Sequence, residues 1–190
     1  MPLNIPNLLT WLRILLIPIF VAVFYLPPAW LLSHWVNVIA AVIFAVAAVT
    51  DWLDGYLARA LNQVSAFGAF LDPVADKLMV AAALLVLVKL ERVDALIALI
   101  IIGREIAISA LREWMAGIGQ GKSVAVSFIG KLKTTAQMAA ILLLLYHDSI
   151  GQMIDTHLMG TYLIYVAAIL TLWSMAYYLK MAWPQISSKG

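Results

Sequence analysis

The chain contains no cysteine, so disulfide scaffolds, thiolate metal centres and cysteine nucleophiles are excluded. Charge is scarce: only 12% of the 190 residues are Asp, Glu, Lys or Arg, about half the usual share of a soluble domain. The net charge of +2 is too small for a nucleic-acid footprint, and no nucleic-acid partner is expected. What the chain has instead is apolar residues, 65% of the total. A globule of this size cannot bury that much in one core, because its surface is too large for its volume. The excess must face lipid.

The longest uncharged stretch runs from Ile14 to Thr50, long enough for two spans of ~17–25 residues broken at Pro27-Pro28. The hydropathy pattern predicts an all-α, integral membrane bundle of six transmembrane helices in a single domain, 1–190. A short juxtamembrane segment precedes the first helix. The helices are expected at 12–26, 35–58, 67–88, 95–116, 127–146 and 157–182. Lys and Arg placement sets orientation. Arg13, Arg59, Lys122, Lys131, Lys133, Lys180 and Lys189 fall on one side, whereas Lys89 and Arg92 fall on the other beside Glu91, Asp94, Asp148 and Asp155. The positive-inside rule puts both termini in the cytoplasm. Aromatic residues near the helix ends, such as Trp30, Trp35 and Trp183, read as interface anchors.

The third and fourth helices break the pattern, carrying Asp72, Asp76 and Lys77, then Arg104, Glu105, Arg112 and Glu113. A charge at the bilayer centre costs at least ~2.5–3.5 kcal/mol, so these residues are expected to face the bundle interior or a wet cavity. Four of the ten acids lie in one 26-residue window, Asp51 to Asp76. Asp51 and Asp54 are i, i+3 and Asp72 and Asp76 are i, i+4, so each pair shares a helix face. The turn between the two helices makes them antiparallel neighbours, and the four carboxylates are expected to converge. Four such groups repel. Divalent cations would relieve the conflict, and an all-oxygen donor set selects Mg²⁺, Mn²⁺ or Ca²⁺. Gly55 and Gly68 flank the acids, which suits either close approach of a ligand or tight helix packing.

The pattern Asp51-x2-Asp54-Gly55-x2-Ala58-Arg59-x8-Gly68-x3-Asp72-x3-Asp76 resembles the signature of the CDP-alcohol phosphotransferase family, with all eight positions filled at the family spacing. The resemblance implies a homodimeric six-helix membrane enzyme that holds two divalent ions, Mg²⁺ or Mn²⁺. By position, Asp51, Asp54, Asp72 and Asp76 would be metal ligands, and Asp76 also the general base. Gly55, Arg59, Ser65 and Gly68 would contact the CDP part of the donor. Asn7 and Thr10, in Pro6-Asn7-Leu-Leu-Thr10, resemble a further donor segment, with helix capping as the alternative.

The acceptor is read from the other intramembrane charges. Arg104 and Arg112 lie ~80° apart around their helix and share a side. Lys131 and Lys133 are i, i+2, so only one can point inward from a helix. Arg is suited to phosphate by its planar fork of donors. The alternative is structural pairing of Arg104 with Glu105 and Arg112 with Glu113. Further segments, among them Gly103-Arg-Glu-Ile-Ala-Ile-Ser-Ala-Leu-Arg112 and Gly130-Lys-Leu-Lys-Thr134, are similar to bacterial members that act on CDP-diacylglycerol and sn-glycerol 3-phosphate in the inner membrane. That resemblance implies a site on the cytoplasmic side. A sibling enzyme using serine or inositol phosphate, and an ion-coupled transporter, are the competing readings.

Overall fold

A computed structural model describes residues 5–60, 66–118, 128–149 and 155–189. Among these the chain is all-helical, with six helices and no strand: α1 (Ile5–Val23), α2 (Ser33–Ala60), α3 (Ala66–Lys89), α4 (Ala95–Gly117), α5 (Phe128–Tyr146) and α6 (Thr156–Lys189). Several of the breaks have a local reason. Pro27 and Pro28 fall in the α1–α2 turn. Glu91 and His147, just past α3 and α5, take left-handed backbone conformations with φ of 58° and 60°. Asp94 caps α4, its carboxylate accepting from the Leu96 amide at 2.7 Å.

One expectation needs correction. There is no separate juxtamembrane segment before the first helix among the described residues, because α1 begins at Ile5 instead of 12. Pro6 sits in the first turn, where a missing N–H costs nothing. Asn7 and Thr10 are therefore helical residues. They are buried, and their polarity is used inside the bundle. At the other end α6 runs on to Lys189, past the expected end at 182.

Helix α3 is central, packing on α1, α2, α4 and α5, while α6 packs on α4 and α5. The main core joins Phe20, Phe44, Leu84, Leu87, Ile101, Ile141 and Leu144. Buried alanines, including Ala40, Ala83 and Ala140, let the backbones approach closely. Gly160 serves the same purpose between α6 and α5: a Cβ there would lie 2.7 Å from Leu144 Cγ. A smaller cluster, Ile108, Met115, Tyr178 and Ala182, ties α4 to the far half of α6. Among the described residues, two stretches are long and apolar enough to cross a membrane, Ser33–Asp54 and Thr156–Trp183. Large apolar side chains also point outward along the helices, among them Leu85, Leu99, Ile106, Ile169 and Trp173.

Candidate active site

The acids of α2 and α3 meet α1. Thr10 and Arg13 are i, i+3 and share one buried face of α1. The Arg13 guanidinium, 1% exposed, forks between two carboxylates, Nη1 donating to Asp51 Oδ1 and Nη2 to Asp54 Oδ2. The Thr10 hydroxyl donates to Asp72 Oδ1 at 2.5 Å. Three helices are thereby joined at one polar node. The two aspartates of α2 do share a face, as their spacing requires.

The four carboxylates do not close into one cage. Among the described residues no group of three or more acidic or imidazole side chains is placed to hold a metal ion. In this arrangement Arg13 supplies positive charge to Asp51 and Asp54, and Asp72 accepts from Thr10.

Asp76 lies between two cavities. One, of about 560 Å³, is lined by Asp51, Asp76, Lys77 and Glu105, with an apolar wall that includes Phe44, Ala48, Met138 and Leu142. The other, of about 680 Å³, is lined by Asp76, Lys77, Arg104, Glu105, Ser109, Arg112 and Glu113. Asp76, Lys77 and Glu105 border both. The acidic and basic halves of the site therefore meet at Asp76.

The basic half is built by α4, α5 and α6. Arg104 donates to Ser174 Oγ at 3.0 Å and stands 3.7 Å from Glu105. Glu105 is also bound by Lys133, which is 1% exposed. Arg112 donates to the Tyr178 hydroxyl at 3.1 Å. Both guanidiniums lie over the Tyr178 ring, at 5.6 Å for Arg104 and 5.1 Å for Arg112. The shared side predicted for the two arginines is thus observed. Among the described residues, the Nε atoms of Arg13, Arg104 and Arg112 are buried without a hydrogen-bond partner. Such unmet donors are uncommon in folded proteins and cost about 1–3 kcal/mol or more each.

Of the residues singled out by sequence, the structure brings together Thr10, Asp51, Asp54, Asp72 and Asp76 on one side and Arg104, Arg112 and Lys133 on the other. Asn7 and Gly68 are buried on α1 and α3. The side chains of Arg59 and Lys131, the surroundings of Gly55, and all of Ser65 lie outside the described residues. Sequence reasoning assigned Arg13 to the membrane surface, where a topology-setting arginine belongs, and gave no role to Ser174 or Tyr178. The i, i+3 pairing of Arg13 with Thr10 was the available signal for the first. Ser174 and Tyr178, i, i+4 and so on one face of α6, are the signal for the others.

The two aspartate pairs keep the spacing of the signature that resembles the CDP-alcohol phosphatidyltransferase family. The profile of that family matches residues 3–173, and the chain belongs to it. The chain is 53% identical over 184 residues to the CDP-diacylglycerol--glycerol-3-phosphate 3-phosphatidyltransferases of Salmonella typhimurium strain LT2 and Salmonella typhi, with 96% of each chain covered. It is 54% identical, over the same length and share, to the protein of that name from Escherichia coli strain K12.

Proposed function

We propose that this protein transfers the phosphatidyl group of CDP-diacylglycerol to sn-glycerol 3-phosphate, giving phosphatidylglycerol phosphate and CMP. The observation that carries the reading is the position of Asp76, common to an acid-lined cavity with an apolar wall and to an arginine-lined one. The near full-length similarity to relatives bearing that enzyme name supports it.

The first cavity suits the donor. Its apolar wall fits acyl chains, and its carboxylate end fits a metal-complexed diphosphate. Asp51, Asp54, Asp72 and Asp76 are all hard oxygen donors, and Arg13 already marks the spot as one that favours a cation. Two Mg²⁺ or Mn²⁺ ions held by these four would neutralise the diphosphate and stabilise charge on the departing CMP. Asn7, Thr10, Gly55, Arg59, Ser65 and Gly68 belong to this donor side by their place in the signature.

The second cavity suits the acceptor. Arg104 and Arg112 bind its phosphate, and Lys133 steadies Arg104 through the shared Glu105. The free hydroxyl then points at Asp76. Asp76 takes the hydroxyl proton as the oxygen attacks the phosphorus that bears diacylglycerol. The bond from that phosphorus to the CMP oxygen breaks, and CMP leaves with the electron pair. The same reading makes the chain a homodimer that crosses the bacterial inner membrane six times, with both termini and the site on the cytoplasmic side. The Lys and Arg bias and the outward apolar side chains support this topology.

The test is CMP release by purified protein supplied with CDP-diacylglycerol, Mg²⁺ and one acceptor at a time. Release with glycerol 3-phosphate is expected. Silence with every acceptor would sink the enzyme reading, and release with inositol phosphate alone would reassign the acceptor.

A further inference from the structure

Two buried polar residues of α6 have no part in the reading so far except as neighbours. Ser174 and Tyr178 are one turn apart on the helix, 1% and 0% exposed. They stand where the two α4 arginines end. Arg104 donates to the Ser174 hydroxyl at 3.0 Å, and Arg112 to the Tyr178 hydroxyl at 3.1 Å. One ring underlies both guanidiniums, 5.6 Å from the first and 5.1 Å from the second.

Two guanidiniums facing one cavity repel each other, and the repulsion is strong where water is scarce. Glu105, the acid beside Arg104, is shared with Lys133 and cannot neutralise both arginines. The negative face of an aromatic ring attracts a cation within about 6 Å without adding a charge of its own. A ring placed under both groups therefore holds them together and fixes their separation. It does so without adding a further acid to Asp76, Glu105 and Glu113, which already line the cavity. A carboxylate in the same place would satisfy the arginines and repel phosphate.

We infer that Tyr178, assisted by Ser174, is a positioning residue that holds Arg104 and Arg112 as a preformed clamp for the acceptor's phosphate. The inference rests on the acceptor site proposed above and deepens it: affinity for a phosphorylated alcohol is set from α6, by residues that need not touch the substrate. Preorganising the two forks lowers the ordering cost that binding would otherwise carry.

The experiment is steady-state CMP release with each substrate varied in turn, on wild type, Tyr178→Phe, Tyr178→Leu and Ser174→Ala. Inorganic phosphate serves as a competitor of glycerol 3-phosphate. Tyr178→Phe keeps the ring and its packing but loses the hydroxyl acceptor, so KM for glycerol 3-phosphate should rise roughly ten-fold. Tyr178→Leu should raise it further, and inhibition by inorganic phosphate should weaken in the same order. Ser174→Ala should give a smaller rise through Arg104. In all three, kcat and KM for the CDP-lipid should hold. Should Tyr178→Leu fail to fold, the near-isosteric Tyr178→Phe still decides the matter. An unchanged KM for glycerol 3-phosphate in Tyr178→Phe overturns the inference. So does a joint change of kcat and both KM values, the mark of damaged packing. Wild-type protein that releases no CMP with glycerol 3-phosphate would instead remove the proposed function on which the inference stands.

Discussion

Arg13 changes how the acid cluster is understood. Its guanidinium is almost fully buried and serves two aspartates of another helix, one of them, Asp54, buried with it. Removing one partner of a buried ion pair costs about 3–5 kcal/mol, because the other charge is left unpaired. Asp51, 41% exposed, adds little to that, since solvent screens it. Arg13→Gln should therefore lower the thermal midpoint of metal-free protein mainly through Asp54. Added Mg²⁺ should recover more of the stability in the variant than in wild type, because a divalent ion can take over the neutralising role. A midpoint in chelator equal to that of wild type would show that Arg13 does not hold the cluster. Sequence spacing revealed which acids share a face. It could not reveal that a cationic side chain 38 positions away already answers them, because that pairing is tertiary.

At the scale of elements, the apolar runs bounded by charge and proline made α2, α4 and α5 legible. The start of α1 was not legible. Asn7 and Thr10, expected ahead of the first helix as donor contacts or helix caps, lie inside α1 and are buried, and Thr10 donates its hydroxyl to Asp72. The turns at the far end of the bundle have their own electrostatics. Past α5, burial first, then Arg92 and His157, hold the His147 imidazole below its ordinary pKa, against the opposing pull of Asp148 and Asp155. An imidazole depressed in the folded state is protonated more readily when unfolded, so stability falls as pH drops below about 6.5, the ordinary imidazole value. Thermal unfolding in detergent at pH 8 and pH 5.5 should show that loss. His147→Asn, which tolerates the left-handed backbone at this position, should make it smaller. An equal loss in the variant would mean that other groups carry the pH dependence.

For the whole molecule, the sequence made the acidic half of the site legible through the two aspartate spacings and the basic half through arginines that have no place in a lipid-facing helix. What it left open was how the halves join. Asp76, Lys77 and Glu105 stand on the shared wall of two cavities, a relation that exists only once α3 and α4 pack together. The absence of cysteine makes the topology directly testable, since any introduced thiol is the only one. A membrane-impermeant maleimide applied to intact cells should label Glu91→Cys, in the exposed α3–α4 turn, and spare Glu113→Cys until the membrane is opened. Equal labelling of both in intact cells would contradict six crossings with the site inside.

The central claim is that the acid side receives the CDP-lipid, the arginine side receives the phosphorylated alcohol, and Asp76 works between them. Its most direct test is steady-state CMP release with both substrates varied in Asp51→Asn, Arg112→Ala and Asp76→Asn. The account predicts that Arg112→Ala raises KM for glycerol 3-phosphate and leaves that for the CDP-lipid in place. Asp51→Asn should weaken the donor side, and Asp76→Asn should lose turnover while still binding CDP-lipid. An Arg112→Ala protein whose KM rises for the CDP-lipid and not for glycerol 3-phosphate, or an Asp76→Asn protein at the wild-type rate, would contradict it.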